Sequence, residues 1–233
     1  MLALGLRGHY VFNPPYLLLI LSIVFYFLVT PTVTYISAKA YLTTGSLTLL
    51  FISLAFVIGV PFAIAGSITS SSPNLSVTTA ALGLLVSSFF QFIAASQASF
   101  GSVSLGSENR RSKLILSFIG VLFLNVLIIS LALLGVFPAF FVQLVGATFI
   151  DKIFYGAIIL FFLVGSFLYL RIYSKSKSQT LYVYSLALLL YAVGCFGISQ
   201  QLVYGDAVVW VGRVSTYVGL LYFLFALLGS RKK

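Results

Sequence analysis

An all-α membrane protein built from seven transmembrane helices is the fold class that this sequence predicts, and three observations predict it. First, 61% of its 233 residues are hydrophobic and only 7% are charged, with a mean hydropathy of +1.16. A water-soluble domain carries about 25% charged residues, so this chain lacks the polar surface that water requires. Second, seven runs are long and apolar enough to span a bilayer, which takes about 20 mainly apolar residues each. Third, Lys39–Ser67 overlays Arg171–Ser199 without a gap at a constant offset of 132 residues, with eight identities over 29 positions. Tyr41 falls on Tyr173, Ser46 on Ser178, Thr48 on Thr180, Leu49 on Leu181, Ser53-Leu54-Ala55 on Ser185-Leu186-Ala187 and Ser67 on Ser199, with Lys39 opposite Arg171. Chance in so Leu- and Ser-rich a composition supplies about three identities, so the overlay points to an internal duplication.

The seven runs follow one another with little chain to spare, so residues 1–233 form one polytopic domain. The first, Pro15–Ser37, continues past twenty residues without a small-x-small cleavage site and is taken as a retained helix. The second, Ser46–Ala65, carries Ala55 and Gly59 four apart, a spacing that lets helices approach closely. Pro31 and Pro61 are expected to interrupt these two helices, because proline frees a carbonyl and kinks the axis. The third, Leu75–Phe100, contains Gln91 and Gln97, and the fourth, Leu114–Gly135, contains Asn125. The fifth, sixth and seventh are Ile153–Tyr173, Thr180–Ile198 and Val209–Leu228. Connections rich in Ser, Thr, Gly and Pro leave no room for a soluble domain between them.

Charge placement orients the bundle. Lys39, Arg110, Arg111, Lys113, Arg171, Lys175, Lys177, Arg231, Lys232 and Lys233 fall on one side, and only Arg7, Lys152 and Arg213 on the other. Basic residues in short loops stay cytoplasmic, which places the N-terminus outside and the C-terminus inside at the cell membrane. The net charge of +10 is thereby accounted for by contact with anionic inner-leaflet lipids, without a nucleic-acid partner. Asn74-Leu75-Ser76 is a glycosylation sequon on the outer side, and His9, Tyr10 and Trp210 suit the outer interface.

In this topology helices one and five run in the same direction, so the repeat is parallel: three helices, an inverting fourth, three helices. Some transporters are built this way. Transport by rocking of the two halves calls for matched breakers, yet helices five and six contain no proline.

Few residues are available for catalysis. The three acids, Glu108, Asp151 and Asp206, fall in loops or at helix ends, so no intramembrane carboxylate pair exists. His9 is the only histidine and Cys195 the only cysteine, which excludes a metal cluster, haem ligation within the bundle and an intramolecular disulfide. The last helix has no interior lysine to carry retinal. Neither an enzymatic activity nor a cofactor is expected.

Arg213 is the side chain that most invites a role, because it lies about one turn inside the last helix, where charge is expensive. It is placed as a holder of an anionic ligand, as a lock on Asp151 or Asp206 from another loop, or as a snorkelling residue whose head reaches the interface. With Asp206, Asp151, Gln200, Gln201 and Tyr204 it makes up a candidate outer polar pocket. Gln91, Gln97 and Asn125 are candidates for interhelical hydrogen bonds within the membrane, worth about 0.6 kcal/mol each. Arg110, Arg111, Lys113, Lys175 and Lys177 form a basic cytoplasmic face. The 23 Phe and 14 Tyr residues are spread over all spans and read as lipid-facing bulk and anchors.

Two local features carry a family resemblance: Arg171-Ile172-Tyr173 running into Ser178-Gln179-Thr180, and Gly212-Arg213 followed by Gly219-Leu220-Leu221. In these the chain resembles the seven-helix input domains of prokaryotic membrane sensors. The resemblance implies an N-out, C-in receptor-like module whose last helix normally leads into an output domain. With the sequence stopping at Lys233, output is expected to pass to a partner protein or through a homo-oligomer. A small-solute transporter using the parallel repeat, and a structural subunit of a larger membrane complex such as a respiratory one, are the alternatives.

Overall fold

The computed structural model describes residues 24–68, 73–101, 104–106, 108–134, 147–200 and 206–229. Side chains are described there except at 59–68, 73–80, 128, 131–133, 147–151, 206, 207 and 209. The described residues form seven α-helices: α1 Thr30–Thr44, α2 Leu47–Ile68, α3 Pro73–Phe100, α4 Arg110–Leu133, α5 Ala147–Ser176, α6 Gln179–Ser199 and α7 Asp206–Gly229. Four segments, Ala81–Phe100, Lys152–Ser176, Gln179–Ser199 and Trp210–Gly229, are long and apolar enough to cross a membrane, which suggests a membrane location.

α1 is preceded by a π-helical turn, Val24–Val29, and Pro31 sits where that turn gives way to the α-helix. A proline has no N–H to offer the preceding turn, and a π-turn accommodates the freed carbonyls. The Thr30 hydroxyl donates to the Phe25 carbonyl at 3.0 Å across it. α2, by contrast, runs through Pro61 without a break.

Several helices outrun the apolar segments that announce them. α1 continues past Ser37 to Thr44, and the hydroxyls along it are satisfied by helix carbonyls: Ser37 by Val33 at 2.8 Å, and Thr43 and Thr44 each by Ala40 at 2.8 Å. α5 begins at Ala147 and ends at Ser176, so Asp151, Lys152 and Lys175 lie on a helix and not in loops. α4 begins at Arg110, which brings Arg110, Arg111 and Lys113 into its first turn. Asn74 falls in the first turn of α3.

What stops α1 and α5 is the same device used twice, at the 132-residue offset. Gly45 and Lys177 both adopt left-handed φ, 75° and 55°. The Gly45 N–H donates to the Tyr41 carbonyl at 2.7 Å and the Lys177 N–H to that of Tyr173 at 2.8 Å. The Ser46 N–H donates to the Thr44 hydroxyl and the Ser178 N–H to the Ser176 hydroxyl, both at 3.3 Å. Leu49 and Leu50 N–H groups donate to the Ser46 carbonyl at 3.1 and 3.3 Å, as those of Leu181 and Tyr182 do to Ser178 at 3.0 and 3.3 Å. One helical turn on, Ser53 bonds back to Leu50 at 2.7 Å and Ser185 to Tyr182 at 2.9 Å.

Neighbouring helices are arranged in a ring, α1, α2, α3, α5, α6, α7, with α7 returning to α1, while α4 stands outside it against α2. Each run of three helices is consecutive in the ring. α4 buries one stripe, Leu114, Val121 and Asn125, and leaves large apolar side chains bare on its other faces, including Leu116 at 71% and Phe123 at 69% exposed. Such a flank is stable in contact with hydrocarbon and costly in water.

Candidate functional site

α6 and α7 make the tightest seam, and glycine makes it. A Cβ on Gly194 would meet Thr216 Cγ2 and, at 2.7 Å, the Gly212 carbonyl oxygen. A Cβ on Gly212 would lie 2.6 Å from the Gly194 oxygen and 2.9 Å from the Ile198 nitrogen, and one on Gly197 3.0 Å from Gly212 Cα. Small residues matter here because lipid tails are as apolar as Leu, so close backbone packing must supply the attraction between helices. The Ser215 hydroxyl adds a bond across the seam to the Leu190 carbonyl at 2.7 Å. Gly212 and Gly219 therefore serve helix contact, with a Gly219 Cβ reaching Tyr191 at 2.8 Å.

With Gly212, Thr216 and Gly219 turned to α6, the adjacent stripe of α7 holds Trp210, Arg213 and Tyr217, of which Tyr217 meets the π-turn before α1. Tyr217 stacks on Phe25 with ring centroids 4.7 Å apart and meets Tyr26 edge-on at 6.4 Å. The polar atoms of Tyr26 and Tyr191 lie within electrostatic reach of one another and of Tyr217 and the Cys195 thiol, and Tyr26 also feels the Arg213 guanidinium. Tyr217 and Cys195 are buried, whereas Tyr26, Tyr191, Trp210 and Arg213 keep some accessible surface. Phenols, a thiol and a cation thus gather where the π-turn of α1 meets α6 and α7. π-Turns of this kind recur at functional sites. No ion pair of Arg213 occurs among the described residues, and its carbonyl accepts the Thr216 hydroxyl at 2.7 Å.

Of the other residues expected around Arg213, Gln201 and Tyr204 lie outside the described residues, and Asp151 and Asp206 are described in backbone alone. Gln200 caps α6 through its N–H to the Gly197 carbonyl at 3.2 Å, and its side chain reaches Ser199 at 3.3 Å. Tyr26, which lies within electrostatic reach of Arg213, and its own neighbours Tyr191, Tyr217 and Cys195 escape a search for polar loops because they come from three helices. The spacing of Arg213 to Tyr217, and of Tyr191 to Cys195, four residues in each case, is the signal that marks them.

Deeper in the ring, aromatic side chains fill the centre. Phe223 of α7 packs edge-on against Phe56 of α2 at 5.1 Å and against Tyr184 of α6 at 4.7 Å, and it also meets Tyr191 at 5.5 Å. Phe162 and Tyr169 of α5 add to the group through Tyr191 at 5.3 Å and Tyr184 at 4.9 Å. Gln91, 2% exposed, accepts the Tyr184 hydroxyl at 2.8 Å, a bond from α6 to α3. The Ser166 hydroxyl joins α5 to α6 at the Ser185 carbonyl, 2.9 Å away. Gln97 is half-buried near the end of α3. Asn125, 1% exposed, finds no hydrogen-bond partner for either amide atom among the described residues.

At the opposite end, the expected basic face divides in two. Arg111, Lys113, Lys175 and Lys177 are exposed. Arg110 is instead engaged: its guanidinium donates to the carbonyls of Thr43 at 2.8 Å, Leu42 at 3.3 Å, Leu105 at 2.9 Å and Gly106 at 3.2 Å. With the Leu105 N–H bonded to the Gly45 carbonyl at 3.0 Å, it fastens the α3–α4 connection over the α1–α2 turn. A cation is well placed against carbonyls at a helix C-terminus. Lys177, at the equivalent turn, lies 5.8 Å from the centre of the Tyr173 ring.

No protein-family model matches this sequence, and no curated protein or solved structure matches it.

Proposed function

We propose that the chain crosses the membrane seven times, N-terminus outside and C-terminus in the cytoplasm, and works as a sensor-like binding module that acts through a partner protein. The observation that carries this reading is the contrast between a ring centre filled by aromatic side chains and a partly accessible cation beside phenols at one end. A filled centre suits a module that binds at its rim better than one that passes a solute. The bare apolar flank of α4 supports contact with lipid, and the exposed basic residues at the far end support a cytoplasmic orientation there.

The mechanical path follows from the seams. α6 and α7 are joined backbone to backbone and move as one body, whereas no glycine contact of that kind joins α1 to α7 among the described residues. A ligand beside Arg213 that prefers one spacing of α1 and α7 shifts the population of that spacing. α1 delivers the shift to its other end, where Arg110 couples it to the α3–α4 connection and so to Arg111 and Lys113. That basic end is the proposed meeting place for the partner.

The matched turns at Gly45 and Lys177 support the parallel duplication, and with it the second reading, a small-solute transporter. Two measurements separate them. Affinity capture from gently solubilised membranes is expected to return a second protein or a defined oligomer in several detergents, and recovery of the monomer alone throughout counts against the sensor-like reading. Solute flux across proteoliposomes containing only this chain would favour the transporter. Single cysteines at Lys113 and Lys177, in a Cys195→Ser background, are expected to react with impermeant maleimide only from the cytoplasmic side.

A further inference from the structure

We propose that the outward faces of α1 and α5 are two equivalent tracks for an anionic phospholipid of the leaflet at the basic end, its phosphate on Lys39 or Arg171 and an acyl chain along the apolar stripe beneath. The tracks rest on the membrane crossing proposed above, not on its orientation or on the partner. Counting back from the matched turns at Gly45 and Lys177, Lys39 and Arg171 are equivalent, and so are Tyr35 and Phe167 one turn deeper. Both cations are exposed, and neither makes an ion pair among the described residues. The rings beneath them are exposed to the same degree, Tyr35 at 64% and Phe167 at 65%, and two turns further in so are Leu28 at 62% and Leu160 at 58%. The reverse faces agree as well: Thr30, Val33 and Ser37 are buried, as are Phe162, Gly165 and Tyr169 at the same offset. Both helices thus present the same stripe outwards, a cation, then a ring, then a leucine.

Dimensions and charge select the occupant. Along α5, Leu160 lies about 16 Å deeper than Arg171, close to half of the roughly 30 Å hydrocarbon core. A cation at headgroup level over an apolar track of one leaflet's depth, with a ring at the boundary, matches one phospholipid; a soluble anion has no use for the track. α1 and α5 stand on opposite sides of the ring, so a component that surrounds the bundle reaches both faces, which a single docked protein does not. Asp151 and Asp206 lie near the starts of α5 and α7, at the other end, which leaves Glu108 as the only acidic side chain at this one. The uncompensated cations therefore favour a lipid with net negative charge over a zwitterion that brings its own cation.

The full chain in detergent micelles is given equimolar phosphatidylglycerol and phosphatidylcholine, and the lipids it retains are counted by native mass spectrometry. Two phosphatidylglycerol molecules are expected to outlast the rest. Lys39→Gln and Arg171→Gln are each expected to weaken one site about fivefold, the worth of one cation near an anionic lipid surface, and the double variant to weaken both. Lys152→Gln removes an exposed cation from the other end of α5 and is expected to keep both. Circular dichroism of these exposed-site variants is expected to match that of the parent chain. Equal retention of phosphatidylcholine, an undiminished double variant, an equal loss in Lys152→Gln, or displacement by glycerophosphoglycerol, which is the headgroup without chains, overturns the assignment. So does a copurifying protein that is lost in the double variant while both lipids stay. Absence of retained phosphatidylglycerol, with cysteines at Lys113 and Lys177 still labelling from the cytoplasmic side, removes the tracks and keeps the topology. Two retained lipids with only monomer captured keep the tracks and remove the partner.

Discussion

Placing one methyl group on Gly212 tests whether the α6–α7 seam holds this bundle together. Its Cβ would lie 2.6 Å from the Gly194 oxygen, 2.9 Å from the Ile198 nitrogen and 3.2 Å from the Gly197 carbonyl carbon, all of them backbone atoms that no rotamer change moves aside. Ordinary contact begins near 3.4 Å, so the helices must part by about 0.8 Å. Overpacking of this kind costs about 1–3 kcal/mol. Parting also stretches the bond from Ser215 to the Leu190 carbonyl, now 2.7 Å, which is worth about 0.6 kcal/mol in a membrane. Against this, alanine is the better helix former by up to ~1 kcal/mol. Gly212→Ala is thus expected to lose about 0.5–2.5 kcal/mol. Gly120 and Gly156 sit in helices where an added Cβ meets nothing within 4 Å, so alanine there is expected to be neutral or to gain up to ~1 kcal/mol. Unfolding in mixed micelles at increasing dodecyl sulfate, followed by circular dichroism, compares the three variants. Equal midpoints for Gly212→Ala and Gly120→Ala would refute the backbone-contact account of the seam.

Three further perturbations probe other parts. Tyr184→Phe removes the hydroxyl that Gln91 accepts and is expected to cost about 0.6–1.7 kcal/mol, with a matching coupling energy in the cycle with Gln91→Leu; zero coupling would show that the 2.8 Å bond contributes nothing. Asn125→Leu is expected to stabilise by about 1 kcal/mol or more in the same titration, since an unpartnered buried polar group costs about 1–3 kcal/mol; a loss would mean that the amide holds something. Arg110→Ala is expected to speed hydrogen exchange at the Leu105 N–H by about tenfold or more by releasing the α3–α4 connection, whereas Lys113→Ala leaves it unchanged; equal rates in both variants would disprove the fastening role.

How much of this molecule could be read from its sequence depended on which interactions are local. Helix positions were legible, because an apolar run of about twenty residues has few other fates. Helix ends were less so. Thr43, Thr44, Arg110 and Ser176 look like loop residues by composition, yet each lies on a helix: the Thr43 and Thr44 hydroxyls bond back to Ala40, the Ser176 hydroxyl accepts the Ser178 N–H, and the Arg110 guanidinium is spent on a neighbouring chain end. Gly45 is a stop signal that a sequence shows plainly, whereas Lys177 adopts the same backbone without announcing it. The overlay of the two stretches did reveal that equivalence. The surroundings of Arg213 were the least legible, for Tyr26, Tyr191 and Tyr217 are separated by up to most of the chain and resemble every other interfacial tyrosine. Their meeting is a property of ring closure, which periodicity does not encode. Arg110 was taken for a free cation for the same reason: its carbonyl partners at Leu42 and Thr43 lie a third of the chain away.

The paired turns make the protein its own control experiment. Leu49 and Leu50 on one side, and Leu181 and Tyr182 on the other, hold amide protons in the same bonds, each pair to a serine carbonyl, at the mouths of helices of similar length. One turn lies beneath a guanidinium and a connecting segment; the other has no such cover among the described residues. A single exchange measurement on the unmodified chain therefore compares a covered copy with an uncovered one, and the ratio of their rates gives the worth of the cover without any mutation. Few folds supply both the specimen and its reference in one polypeptide.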